Sequence, residues 1–251
     1  MFKLAGLLLA ALLGASPAVG AESVRLAVED DWAPFASSKP DRSGAEGFAV
    51  DVVVEAFRTQ GVVVDLVVVP FSRCLHYAEA GTTVGCFNAT RHEGNEHIYH
   101  WHPTPLLMDG LSIFANTAAP ESNLTEKDLE GRTVGYTLGY TYPVSFMENP
   151  AIRRFGVQSD DQLIQMVAAG RVDFVLLNDV AGFYKMSRMP DIKGKVKKAG
   201  VISMDGFWIA FSRNHPDGER MARIFEAGLQ ELKSSGRYAE MENTLHRSLG
   251  M

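Results

Sequence analysis

Four of the chain's seven histidines, His92, His97, His100 and His102, fall within RHEGNEHIYHWHPTP (residues 91–105), with Glu93 and Glu96 beside two of them. Imidazoles and carboxylates so close together can hold a divalent metal, provided their spacing turns them toward one point. A zincin helix needs H-E-x-x-H, which puts two histidines on one face. His92 and His97 are five residues apart, about 500° of helical turn, so they would face about 140° away from each other. The inverted form, H-x-x-E-H, also fails by one residue. Gly94 weakens a helix here by about 1 kcal/mol relative to Ala. What remains is a looser pairing of His100 and His102 on one face of a strand, set against a polar loop and edge strand with exposed histidines. No metal and no cofactor is expected. Nor is there a G-x-S-x-G elbow for a serine nucleophile.

The elements that position polar groups are easier to read. VRLAV (24–28) is a short apolar strand. GFAVDVVVEAFRTQG (47–61) reads as a helix stopped by Gly61. VVVDLVVVP (62–70) is a strand rich in β-branched residues. A helix opened by Ser72 and closed by Gly81 leads to the strand TVGCFNA (83–89). This β-α-β-α-β order implies a mostly parallel sheet with helices on its faces. After the strand GLSIFAN (110–116) the pattern restarts. Thr125 and Asp128 form a capping pair, RTVGYTLG (132–139) is a strand, and Ser159 with Gln162 opens a helix that Gly170 stops. RVDFVLLND (171–179) and FWIAFS (207–212) are further strands. A long helix with Met221, Ile224, Phe225, Leu229 and Leu232 inward follows, then a short one carrying Tyr238, Met241 and Leu245. Two α/β lobes with a cleft between them are the expected α/β architecture. Ligands bind beyond the carboxyl ends of the strands in such sheets.

MFKLAGLLLAALLGASPAVGAES has one positive charge, Lys3, an apolar run from Leu4 to Leu13, and small residues before Ala21. This is a secretory signal peptide, residues 1–21, cleaved after Ala21. With no lipobox cysteine at that point, a free periplasmic protein is expected. Removing residues 1–21 deletes one Lys and no acid, taking the formal charge from −6 to −7. An acidic exported chain excludes nucleic acid, which rewards Lys/Arg clusters. Cys74 and Cys86 are either a disulfide, as an oxidising compartment favours, or two small buried apolar residues.

The strand ends carry EDDWAPF (29–35), PFSRCL (70–75), NATR (88–91), GYTLGYTY (135–142) and LLND (176–179). In order and spacing these segments, behind a signal peptide, resemble the family-3 extracellular solute-binding proteins. The resemblance covers nearly the whole mature chain. It implies a type II periplasmic-binding fold, with lobe one at 22–113 and 207–251, lobe two at 114–206, and hinge crossings at LSIFA and FWIAFS. It also implies a monomeric, non-enzymatic receptor for polar amino acids or related solutes, serving an ABC permease. A ligand-presenting partner of a membrane sensor, or an acid/base enzyme using Glu29 or Asp179, are the alternatives.

By the same resemblance, Trp32 and Phe71 are aromatic walls, Asn88 and Thr90 hydrogen-bonding groups, and Gly139, Tyr140 and Thr141 a turn at the cleft. Glu29 either reaches the cleft or caps its loop. Two positions depart from the family. The arginine that grips an α-carboxylate falls on Asn95, leaving Arg91 or Arg73 as substitutes. The aspartate that holds the ammonium falls on Asn178, with Asp179 next to it. If both departures hold, the grip on a zwitterion is missing.

Overall fold

The structure, a computed structural model, describes residues 22–249; the expected leader lies outside them. Val62–Val69 forms a strand because its β-branched side chains suit an extended backbone. It lies parallel to the first strand over eight registered pairs, Glu22↔Val62 to Glu29↔Val69. In chain order the first lobe opens with β1 (Glu22–Glu29), a small three-stranded sheet of β2 (Asp31–Trp32), β3 (Ala36–Ser38) and β4 (Ala45–Glu46), then α1 (Phe48–Thr59) and β5 (Val62–Val69). It continues with α2 (Phe71–Glu79), β6 (Gly85–Ala89), β7 (Tyr99–Trp101) and β8 (Leu107–Asn116).

The second lobe holds β9 (Thr133–Thr137), α3 (Val144–Glu148), β10 (Arg153–Val157), α4 (Asp160–Ala168), β11 (Phe174–Asn178) and α5 (Asp179–Ser187). The chain returns on β12 (Val196–Ser212) and finishes with α6 (Gly218–Ser234) and α7 (Arg237–Leu249) back on the first lobe. The main sheet runs β10-β9-β11-β8-β12-β6-β1-β5, with β7 on β12.

Two long strands join the lobes. β8 and β12 are antiparallel from Val196↔Asn116 to Phe207↔Leu107. Leu111 to Ala115 of β8 also pair with β11 of lobe two, while Trp208 to Phe211 of β12 pair with β6 of lobe one. Within each lobe the strands are parallel as expected, β5-β1-β6 in one and β10-β9-β11 in the other, and the two joining strands run antiparallel to their neighbours. Residues 196–206 extend the strand expected at 207–212 by eleven positions, and β10, α3 and α5 add to the elements foreseen from the sequence.

Each lobe has its own core. In lobe one, Val52, Val53 and Phe57 of α1 meet Phe225 and Leu229 of α6. A Cβ at Gly228 would run into the Ala56 carbonyl, so glycine sets how closely these helices approach. In lobe two, Phe114, Leu163, Ile164 and Val167 form one cluster and Ile113, Val134 and Phe174 another. Ser159 caps α4, its hydroxyl accepting from the Gln162 amide at 3.4 Å. Helix α2 is preceded by Pro70, not capped by Ser72. No helix among the described residues is long and apolar enough to cross a membrane.

Cys74 of α2 and Cys86 of β6 are joined by a disulfide, with Cα atoms 5.4 Å apart. The bond closes a short loop, 12 residues in separation. Chain entropy gives such a crosslink about 3 kcal/mol. Denaturant unfolding with and without reductant should show a loss of that size, and Cys74→Ser/Cys86→Ser should match the reduced protein. Unchanged stability on reduction would show that the bridge contributes nothing.

Candidate functional site

The strand ends converge between the lobes. Glu29 ends β1, Asn88 sits near the end of β6, and Asn178 ends β11. Around them lies a cavity of about 40 Å³, room for a few waters, so the lobes are drawn together around a narrow space.

Eight residues expected from the sequence line this space. Lobe one supplies Glu29, Trp32, Phe71, Asn88 and Thr90; lobe two supplies Tyr140, Thr141 and Asn178. Trp32 is buried between Phe35 and Phe207, with ring centroids 4.6 and 4.7 Å away. It serves the core and the cleft at once. Phe71 meets Tyr140 edge-on at 5.8 Å across the lobes. Asn88 has φ of 70°, a left-handed conformation in which asparagine is one of the few tolerated side chains. It is 3% exposed. Its Nδ2 donates to Glu29 Oε1 at 3.4 Å, but its Oδ1 and the Thr90 hydroxyl have no partner.

Five expected residues stand outside the lining. Arg91 pairs with Glu96 at 2.9 Å on the surface. Arg73 is exposed on α2. Asn95 ties its own loop, donating to the Thr90 carbonyl and accepting from the His92 amide, both at 2.9 Å. Asp179 binds Lys198 of β12 at 2.7 Å. Gly139, at φ 85°, faces Ser72 of the other lobe, which a Cβ would meet at 3.4 Å. Helix α3 begins at Val144, beyond this turn, and spans five residues.

Sequence reasoning missed Asp160, Asp205, Tyr142 and Phe207, all in the lining with Leu111, Leu176 and Leu177. Asp160 opens α4 and is buried, accepting from the Thr137 hydroxyl at 2.5 Å. In sequence it reads as an ordinary first-turn acid, the position that a helix dipole favours. Burial raises its pKa to about 6, against the pull of Thr137 and Lys185. Burial also holds the Glu29 carboxyl well above the usual range, with Asp160, Asp31 and Asp30 adding to the rise. Asp205 is raised by desolvation too, offset by the Ser203 hydroxyl at 2.9 Å.

One base stands near these acids. Lys185 of α5 reaches across the lobes to Asp31 at 2.7 Å and also contacts Asp161 at 3.3 Å. The Tyr140 hydroxyl donates to the Asp31 carbonyl at 3.3 Å. The lobes are thus tied at the rim by one ion pair and one hydrogen bond.

The histidines lie elsewhere. His102 is buried in lobe one, its Nε2 accepting from the Ile209 amide at 2.9 Å and its Nδ1 3.6 Å from Glu226. Burial lowers its pKa. Among the described residues no three His, Cys, Asp or Glu side chains gather as a metal site.

Residues 24–246 match the family of bacterial extracellular solute-binding proteins, family 3. The chain belongs to that family, whose members bind solutes outside the cytoplasm. No curated protein matches it. Among solved structures it is similar to an ancestral arginine-binding protein bound to arginine (TM-score 0.77, 19% identity, covering 89% of this chain and 97% of that one). It is also similar to the amino acid ABC transporter substrate-binding protein AbpA from Streptococcus pneumoniae bound to L-arginine (TM-score 0.74, 16% identity, 90% and 95%). A third is a histidine kinase sensor domain with similarity to periplasmic binding proteins (TM-score 0.76, 17% identity, 89% and 95%). At these identities the likeness establishes the two-lobed periplasmic-binding fold.

Asp160 gives the site a measurable pH signature. Its carboxyl titrates near 3.8 when unperturbed and near 6 in the folded protein. The folded state therefore holds a proton that the unfolded state has lost. This contribution is complete below about pH 4 and is lost as pH rises past about 6. At 1.36 kcal/mol per unit the total is roughly 3 kcal/mol. Asp160→Asn should flatten the fall in stability of the ligand-free protein between pH 4 and 7 by an amount of that order. Urea unfolding at the two pH values, for both proteins, reads it directly. The Glu29 contribution has the same sign and stays in the variant. An unchanged slope would show that the Asp160 carboxyl titrates alike in the folded and unfolded states.

Proposed function

We propose that this chain is a periplasmic receptor that closes its two lobes on one small polar solute, of amino-acid size, and presents it to a membrane partner. The observation that supports this most is the space between the lobes, lined from both sides and tied shut at its rim by Lys185 and Asp31. Trp32, Phe71 and Tyr140 enclose the solute, while Glu29, Asn88, Thr90, Thr141 and Asn178 offer it hydrogen bonds. The leader is removed after Ala21 and the mature monomer works in the periplasm without a cofactor. Delivery to an ABC permease is the favoured role, supported by the likeness to an amino acid ABC transporter substrate-binding protein. Presentation to a membrane sensor is the second reading, favoured by the neighbouring sensor domain.

A thermal-shift panel of amino acids, amines, organic acids and short peptides tests solute binding. A ligand at about 100 times its Kd adds about 2.7 kcal/mol. In a chain of this size that is several degrees, at about 2–4 °C per kcal/mol. Lys185→Met should weaken the best solute roughly tenfold, about 1.4 kcal/mol, and enlarge the radius of gyration of the ligand-free protein in solution scattering. A panel without any shift would remove the receptor reading.

A further inference from the structure

The cleft is lined by three carboxylates, Glu29, Asp160 and Asp205, and by no lysine, arginine or histidine. None of these three acids forms a salt bridge among the described residues. Lys185, the base at the rim, is already shared between Asp31 and Asp161. Arg91 is engaged by Glu96 on the surface, and Arg73 points to solvent from α2. A carboxylate entering this space would find no unengaged cation to neutralise it, and burying an unpaired charge is costly.

The unfilled hydrogen-bonding capacity has the opposite preference. Asn88 is 3% exposed and lines the cleft. Its Nδ2 is spent on Glu29, so what it leaves without a partner is the acceptor Oδ1. Trp32, Phe71, Tyr140, Tyr142 and Phe207 surround these groups, and aromatic faces attract cations. The acids, the free acceptor and the rings all call for a positively charged donor.

We propose that the cleft takes a small organic cation without an α-carboxylate, an amine or guanidine, in which the charged head meets Glu29, Asp160 and the Asn88 oxygen. The inference rests on the receptor reading above and narrows it. It differs from a zwitterionic amino acid in one functional group, which makes the comparison clean.

The test is isothermal titration with matched pairs that share a side chain: L-arginine and agmatine, L-lysine and cadaverine, L-histidine and histamine. Succinate and a neutral sugar complete the set. For at least one pair the amine should bind ten times more tightly than its parent acid. Glu29→Gln and, independently, Asp160→Asn should each weaken that amine at least tenfold while circular dichroism and a single cooperative melt are retained. Equal or tighter binding of the parent amino acids would overturn the proposal. Binding of succinate or sugar alone would also overturn it, yet leave the receptor reading intact. Silence from every solute would overturn both.

Discussion

The antiparallel ladder between β8 and β12 is the constraint on which the rest of the molecule depends. It carries the chain out of lobe one and back again, paired from Val196↔Asn116 to Phe207↔Leu107. Register irregularities fall near its middle, between Lys198 and Gly200 and between Val201 and Ser203. Such bulges bend a strand and strengthen its twist. Asp109, buried on β8, accepts from the amides of Gly110 and Val180, so the start of α5 is fastened to this ladder. Burial raises that carboxyl to about 7. The helix that carries Lys185 to the rim is thus hung from the joining strands themselves.

The cleft inherits its chemistry from this arrangement. Parallel strands in both lobes end at the same gap, so whatever residue stands at each end faces the solute space. In this chain those ends are acidic or amide-bearing rather than basic. Desolvation then acts on Glu29 and Asp160 alike, and Asp160 adds to the rise at Glu29. The same burial that penalises a lone carboxylate strengthens its pairing with a cation.

Much of this was legible in the sequence, for identifiable reasons. Helix spacing in Met221, Phe225, Leu229 and Leu232 marks the face that is now buried, and β-branched runs mark β5. Strand ends gave Glu29, Asn88 and Asn178 through the rule that ligands sit beyond carboxyl ends. Asp160 was hidden because a helix-opening acid is common on any surface; only its approach to Thr137 from another strand sets it apart. Asp205 was hidden because the strand was read from Phe207, after the polar and glycine positions that interrupt β12. Asn95 lies in a loop that folds back on itself, which spacing along the chain does not reveal. The small sheet of β2, β3 and β4 has strands of two or three residues, too short for any period to show.

The disulfide sits three residues after Phe71 and two before Asn88. It therefore fixes covalently the spacing of an aromatic wall and the amide opposite it, within one lobe. Nothing comparable braces Tyr140 or Asp160 in the other lobe, which are held by packing and hydrogen bonds. The two sides of the cleft are therefore braced unequally: one carries a covalent staple close to its lining residues, and the other only non-covalent contacts such as the bond from Thr137 to Asp160.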